Sequence, residues 1–206
     1  KLFNDSDTFN LSITNDFLEN ANGNTSGASI TISDSYLKNA TQLSTARTMI
    51  HEMVHAYLNV KYGNAMSFEN GIDFRLKMEK FTKDNGITNI NSDKFHHDFM
   101  GQYVDAMAFS LLSWDLKYGT GGIKIKDSDG THILDWEYYR SMAFGGLSFA
   151  KTNSSGKLIL DSAGNKIYED TNSFKILVPK EGDRDKIKSI LINENDGKSK
   201  SKGTKC

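Results

Sequence analysis

The chain has 206 residues, 25 Lys+Arg against 26 Asp+Glu, a formal net charge of −1, 37% hydrophobic residues and a mean hydropathy of −0.51. No run approaches the roughly 18 consecutive apolar residues that a membrane helix needs, and a near-neutral charge argues against a dedicated nucleic-acid binder, which needs a local excess of Lys and Arg to neutralise phosphates. The single cysteine, Cys206, excludes an intramolecular disulfide and any cysteine-based metal cluster and leaves the compartment open.

The sequence opens on Lys1 without a methionine or an apolar signal core, which reads as a processed product or a fragment of something longer. Residues 1–24 are polar, with a weak alternation at Phe9, Leu11 and Ile13. Residues 28–33 alternate apolar and polar around β-branched side chains, which predicts a short strand suited to a sheet edge. The clearest helix is expected from Ser44, an N-capping type, to about Tyr62, before Gly63. At about 100° per residue, Ala46, Met49, Ile50, Met53, Tyr57 and Val60 share one broad face, the core side. Further helices are expected at 73–83 and 93–118, the second with an apolar stripe through Phe95, Phe99, Val104, Met107, Leu111 and Trp114. Two hairpins follow, one at 123–134 turning at 127–130 and one at 158–168 turning at 163–165. Between them Asp135 is placed to cap a short helix bearing Trp136, Tyr139 and Met142, and a last helix is expected at 184–192. The pattern predicts one domain over residues 1–192 and, from Asn193, a disordered polar tail without an apolar anchor.

The best helix contains His51-Glu52-Met53-Val54-His55, an H-E-x-x-H. Residues four apart lie about 40° apart on one helix face, so two imidazoles can grip one ion. Glu52 lies about 100° round from His51, beside the ion rather than on it, where a general base must sit to take a proton from a metal-bound water. Zinc lowers the pKa of such a water toward about 7. The bland alternative is a chance match. Against it, the match falls mid-helix and after a strand, and its histidines lie nearly opposite the Met49/Met53/Tyr57/Val60 stripe, where a core histidine would not.

A catalytic zinc site normally takes three protein ligands. Metzincin spacing is excluded, because Leu58 and Lys61 stand where it demands glycine and histidine. His97 is favoured as the third ligand: it lies about 200° from both Phe95 and Phe99, which mark the core side of its helix, whereas His96 lies about 100° and about 60° from them. His96 and Glu69, in Glu69-Asn70-Gly71-Ile72-Asp73, are the alternatives. Tyr103 is a candidate transition-state stabiliser and equally suits packing. Asp127-Ser128-Asp129-Gly130 lacks the glutamate of a calcium loop, since Tyr138 stands at the twelfth position. His132 reads as a half-exposed strand residue, and Lys198, Lys200, Lys202 and Lys205 as a solvated tail.

The block His51-Glu52-Met53-Val54-His55-Ala56-Tyr57-Leu58, followed by His97-Asp98-Phe99-Met100 and Tyr103-Val104-Asp105, resembles the SprT-like zincins. It looks closest to the SprT-like domains at the C-termini of bacterial RHS-repeat and other polymorphic-toxin proteins, and the stretch from Tyr138 to Phe144-Gly145-Gly146-Leu147 is similar to a tail segment in those domains. The resemblance covers motifs between residues 28 and 147. It implies an α+β, zincin-like fold, with an active-site helix packed under a small antiparallel or mixed sheet and with additional helices and β-hairpins. It also implies Zn2+ held by His51, His55 and His97, and Glu52 as base. The activity it implies is that of a metallopeptidase acting on a protein or peptide substrate, as the toxin or effector part of a larger bacterial protein. Such a protein would be secreted or delivered into a target cell and countered by a cognate inhibitor or immunity protein. The zinc-ribbon cysteines common in SprT proteins proper are missing, so the DNA-linked roles of that branch do not carry over. A peptide substrate is expected to add as a strand to the edge at 28–33. The alternative is a non-proteolytic or cell-wall-directed zinc-binding module of a larger secreted protein.

Overall fold

The computed structural model describes residues 10–19, 21–62, 100–119, 124–127, 130–155, 157–162, 164 and 166–205. The helix expected at 73–83, the first part of that expected at 93–118, and Glu69, His96 and His97 lie outside them. Among the described residues the chain is α+β, with six helices, one small mixed sheet and two antiparallel strand pairs.

The N-terminal sheet holds β1 (Ser12–Asp16), β2 (Gly23–Ser26) and β3 (Ser29–Ser33) in the order β1-β3-β2, with β1 parallel and β2 antiparallel to β3. The strand expected at a sheet edge is therefore the central one. Only β3 alternates strongly enough to bury Ile30 and Ile32, and it is flanked on both sides. The polar β1 and β2 take the edges, where one rim of each strand faces away from the ladder.

A short α1 (Asp34–Asn39) leads into α2 (Gln42–Tyr62), the helix that carries the H-E-x-x-H. Thr41, not Ser44, caps it: the Ser44 N–H donates to Thr41 Oγ1 at 3.1 Å and the Thr45 N–H to the Thr41 carbonyl at 2.9 Å. The single apolar stripe expected on α2 is split in two. Met49 and Met53 pack toward Ile30, Ile32, Tyr36 and Ala40. Leu43, Ala46, Ile50, Val54 and Tyr57 join a larger core built with α3 (Val104–Tyr118) and α4 (Trp136–Ala143).

Ahead of α3 the backbone tightens into a 3-10 turn at Gly101–Tyr103, which interrupts the single helix expected there. A Cβ at Gly101 would stand 2.7 Å from the Ser173 Cβ, so the chain passes directly against α5 (Asn172–Leu177) at this point. The hairpin of β4 (Lys124–Asp127) and β5 (Gly130–Ile133) forms as expected, and Asp135 caps α4 by accepting the Tyr138 N–H at 2.9 Å. The second expected hairpin is present in rudimentary form: Leu160 bridges Lys166 antiparallel and the Ile167 N–H donates to the Ile159 carbonyl at 3.1 Å, while Leu158 bridges back to Thr152. The longer antiparallel pair beside it is β6 (Ser148–Ala150) with β7 (Tyr168–Asp170). Phe144 stacks on Phe174 at 4.9 Å, joining α4 to α5.

The last helix, α6 (Glu181–Asp196), extends past its expected end to Gly197, which adopts φ 55 and terminates it. The tail expected to be disordered from Asn193 is instead anchored. Glu194, 0% exposed, accepts hydrogen bonds from the Thr41 hydroxyl, from the Tyr138 hydroxyl at 2.5 Å, and from the backbone N–H of Lys202 at 2.6 Å and of Gly203 at 3.1 Å. Gln42 N–H donates to the Thr204 carbonyl at 2.7 Å. The anchor is polar rather than apolar, which is why a search for hydrophobic residues misses it. Burial and the neighbouring carboxylate drive the Tyr138 phenol far above its ordinary range, so it stays a donor. Glu194→Gln keeps the volume but turns an amide NH2 toward a set of donors. It should lower unfolding free energy by about 2–4 kcal/mol in urea denaturation, and a loss under about 0.5 kcal/mol would show that the tail is not held by this carboxylate.

Candidate metal centre

Both β2 and β3 lie on α2, and the three residues of interest project from the polar sides of this helix. His51, Glu52 and His55 are 6%, 7% and 9% exposed. The Nε2 atoms of His51 and His55 face each other at 3.0 Å, with the ring centroids 4.8 Å apart and the planes inclined by 65°. Two imidazole nitrogens at this separation must share either a proton or a cation between their lone pairs. A tetrahedral zinc bonded to two such nitrogens at about 2.0–2.1 Å holds them about 3.3 Å apart. The pair fits that ion with an adjustment of a few tenths of an ångström.

Among the described residues, no group of three or more His, Cys, Asp and Glu comes together. The structure thus unites His51 and His55, while each candidate for the third ligand lies outside the described residues. Tyr103 stands at the start of α3, partly buried against the larger core.

Glu52 is turned toward the sheet. Thr25 on β2 sits with its Oγ1 2.6 Å from Glu52 Oε2 and 3.2 Å from the Glu52 carbonyl. The hydroxyl has one proton, and the shorter, charge-assisted contact is the one that takes it. Burial pushes the Glu52 carboxyl above its ordinary range, while the Thr25 bond and the Arg47 charge pull it partly back.

Residues that sequence reasoning missed complete the surroundings. Gly146 adopts φ 94, and a Cβ there would stand 2.6 Å from His51 Cε1. A Cβ on Gly145 would stand 2.8 Å from Arg47 Cζ. The Gly145-Gly146 turn after α4 therefore walls the histidine side of α2. Gly146 is required by that close approach and by its left-handed backbone, and Gly145 leaves room for the Arg47 guanidinium. Arg47 donates through Nη2 to Asn195 Oδ1 at 2.9 Å, and among the described residues its buried Nε has no hydrogen-bond partner. The only sequence signal for this wall was the similarity of the Phe144–Leu147 stretch to a family tail segment.

The SprT-like family model matches residues 2–96. This segment is similar to that family. The matched span contains β1 to β3, α1 and α2, hence the whole H-E-x-x-H, and it includes Glu69 and His96 but stops one residue before His97. The α+β architecture, with an H-E-x-x-H helix under a small mixed sheet, agrees with a zincin-like SprT fold. The family is zincin-like and metallopeptidase-like, and zinc is the metal that goes with it. No curated protein and no solved structure matches the chain. Among the described residues no helix is long and apolar enough to cross a membrane.

Gly146→Ala adds a methyl against the His51 ring and about 1–2 kcal/mol of backbone strain. It should weaken zinc affinity about tenfold or more, measured by competition with a chromophoric chelator. Unchanged affinity would mean that the turn does not hold the His51 ring.

Proposed function

We propose that the chain is a zinc-dependent peptidase acting on protein or peptide substrates. The observation that carries this reading is the facing pair of buried imidazoles beside a buried carboxylate on one helix. His51 and His55 would hold the ion together with a third ligand, for which His97 is our choice over His96 and Glu69. Zinc, when bound, supplies Lewis acidity that polarises a scissile carbonyl and acidifies water. Glu52 takes the proton released as water attacks and returns it to the leaving amine.

The place proposed for the substrate moves with the sheet order. β3 is flanked on both sides, so an incoming peptide pairs instead with β2, which among the described residues pairs with β3 alone. Gly23 and Thr25 of β2 both approach Glu52, so a peptide extended along this edge lies beside the base, its main chain held by strand hydrogen bonds. By the resemblance described above, the biological setting would be the toxin or effector portion of a larger bacterial protein, secreted or delivered into a target cell and restrained by an inhibitor protein. One observation favours a second reading, a zinc-binding module without turnover or one directed at cell-wall peptide: the three residues are each more than nine-tenths buried.

The test is cleavage of casein, of a proteome-derived peptide mixture and of muropeptides by zinc-loaded protein. Glu52→Gln should reduce protein cleavage by about 100-fold or more while zinc stays stoichiometric. His51→Gln and His55→Gln should each lose metal and activity together. Cleavage that survives Glu52→Gln would remove this residue as base. Stoichiometric zinc without turnover on any substrate would favour the module, and turnover confined to muropeptides would move the substrate to the cell wall.

A further inference from the structure

We propose that Gly23 and Thr25 form a two-point cradle on β2 that holds the Glu52 carboxylate in one orientation, with Thr25 as a positioning residue that occupies Oε2 and leaves Oε1 to handle the proton. The inference deepens the peptidase reading and rests on Glu52 being its base. Residues 23 and 25 are two apart on a strand and so share one face. That face meets α2, while Asn24 and Ser26, on the other, are exposed. Thr25 gives its proton to Oε2 at 2.6 Å. Among the described residues Oε1 accepts no hydrogen bond. A carboxylate oxygen already accepting a short, charge-assisted bond is the poorer acceptor for a second proton, so the reactive oxygen is the other one.

Gly23 supplies the second point. A Cβ there would stand 3.0 Å from both Cγ and Oε1 of Glu52, and 3.1 Å from Thr48 Cγ2. The absent side chain is the space that the carboxylate fills. Without these contacts, a glutamate with three rotatable bonds samples several rotamers, and ordering it costs entropy at each turnover. A misplacement of about 1 Å at a reacting group can cost on the order of 100-fold in rate. Under this reading one strand sets two things at once, the register of the substrate and the aim of the base.

The experiment uses the zinc-loaded chain and the variants Thr25→Val, Thr25→Ser and Gly23→Ala. Thr25→Val keeps the shape and removes the donor. It should lower kcat about 10- to 100-fold with KM within about twofold, at unchanged zinc stoichiometry and a similar melting temperature. Thr25→Ser restores the donor and should come within about threefold of the parent. Gly23→Ala should lower kcat in the same direction. Undiminished kcat in Thr25→Val, an equal loss in Thr25→Ser, or a loss carried by KM would each overturn the proposal, the last by assigning Thr25 to substrate register. Crystal structures of the parent and Thr25→Val provide a readout that does not depend on turnover. The carboxylate should leave its place under Gly23 in the variant, and the proposal fails if it stays. A parent chain that cleaves nothing would sink the peptidase reading, and the paired structures would still decide whether Thr25 orients Glu52.

Discussion

The structure depends on burying a helix whose apolar residues cover only part of its surface. The remaining side of α2 is polar, and several of its groups are met by groups from elsewhere in the chain. Thr41 meets Glu194. Ser44 donates to Asn195 Oδ1 at 2.7 Å and lies 2.8 Å from the Tyr36 hydroxyl, which lies equally close to Thr48. Arg47 meets Asn195, Glu52 meets Thr25, and Asn59 donates to the Gly27 carbonyl at 3.2 Å. A buried polar group left unmatched costs about 1–3 kcal/mol, so this ladder decides whether α2 can be enclosed at all. The two histidines, one helical turn apart, face each other in the same buried setting.

The cost is not fully cancelled. Among the described residues Arg47 keeps an unmatched Nε, and Glu52 sits where burial opposes its charge. Fully apolar packing around α2 would make a more stable protein. Polar groups held at some expense inside a fold mark the place where chemistry, rather than stability, dictates the residue types.

Much of this was legible from local pattern. The H-E-x-x-H needs only helical spacing, and the Asp135 cap and the β4–β5 hairpin need only their nearest neighbours in sequence. What was not legible depends on partners far along the chain. Alternation marks 28–33 as a strand but carries no information about which strands flank it, so its central place was missed. A helical wheel shows one broad apolar face on α2 and cannot show that the sheet takes Met49 and Met53 while α3 and α4 take Ile50 and Val54. Thr41 outranks Ser44 as cap because its hydroxyl reaches Glu194, 153 positions away. Gly23, Gly145 and Gly146 matter through side chains that they lack, and such space becomes visible only once the neighbour is placed.

The tie between Glu194 and the start of α2 also bears on how the chain assembles during synthesis. The contacts of Thr41, Ser44 and Arg47 with Glu194 and Asn195 span 153, 151 and 148 residues. A ribosome that has already released both histidines must therefore go on to Glu194 and Asn195 before this helix gains its proper beginning. Closures of such length are slow compared with local folding. Until then the chain carries His51 and His55 on a helix that is only partly enclosed, and the enclosure is completed by residues far along the sequence.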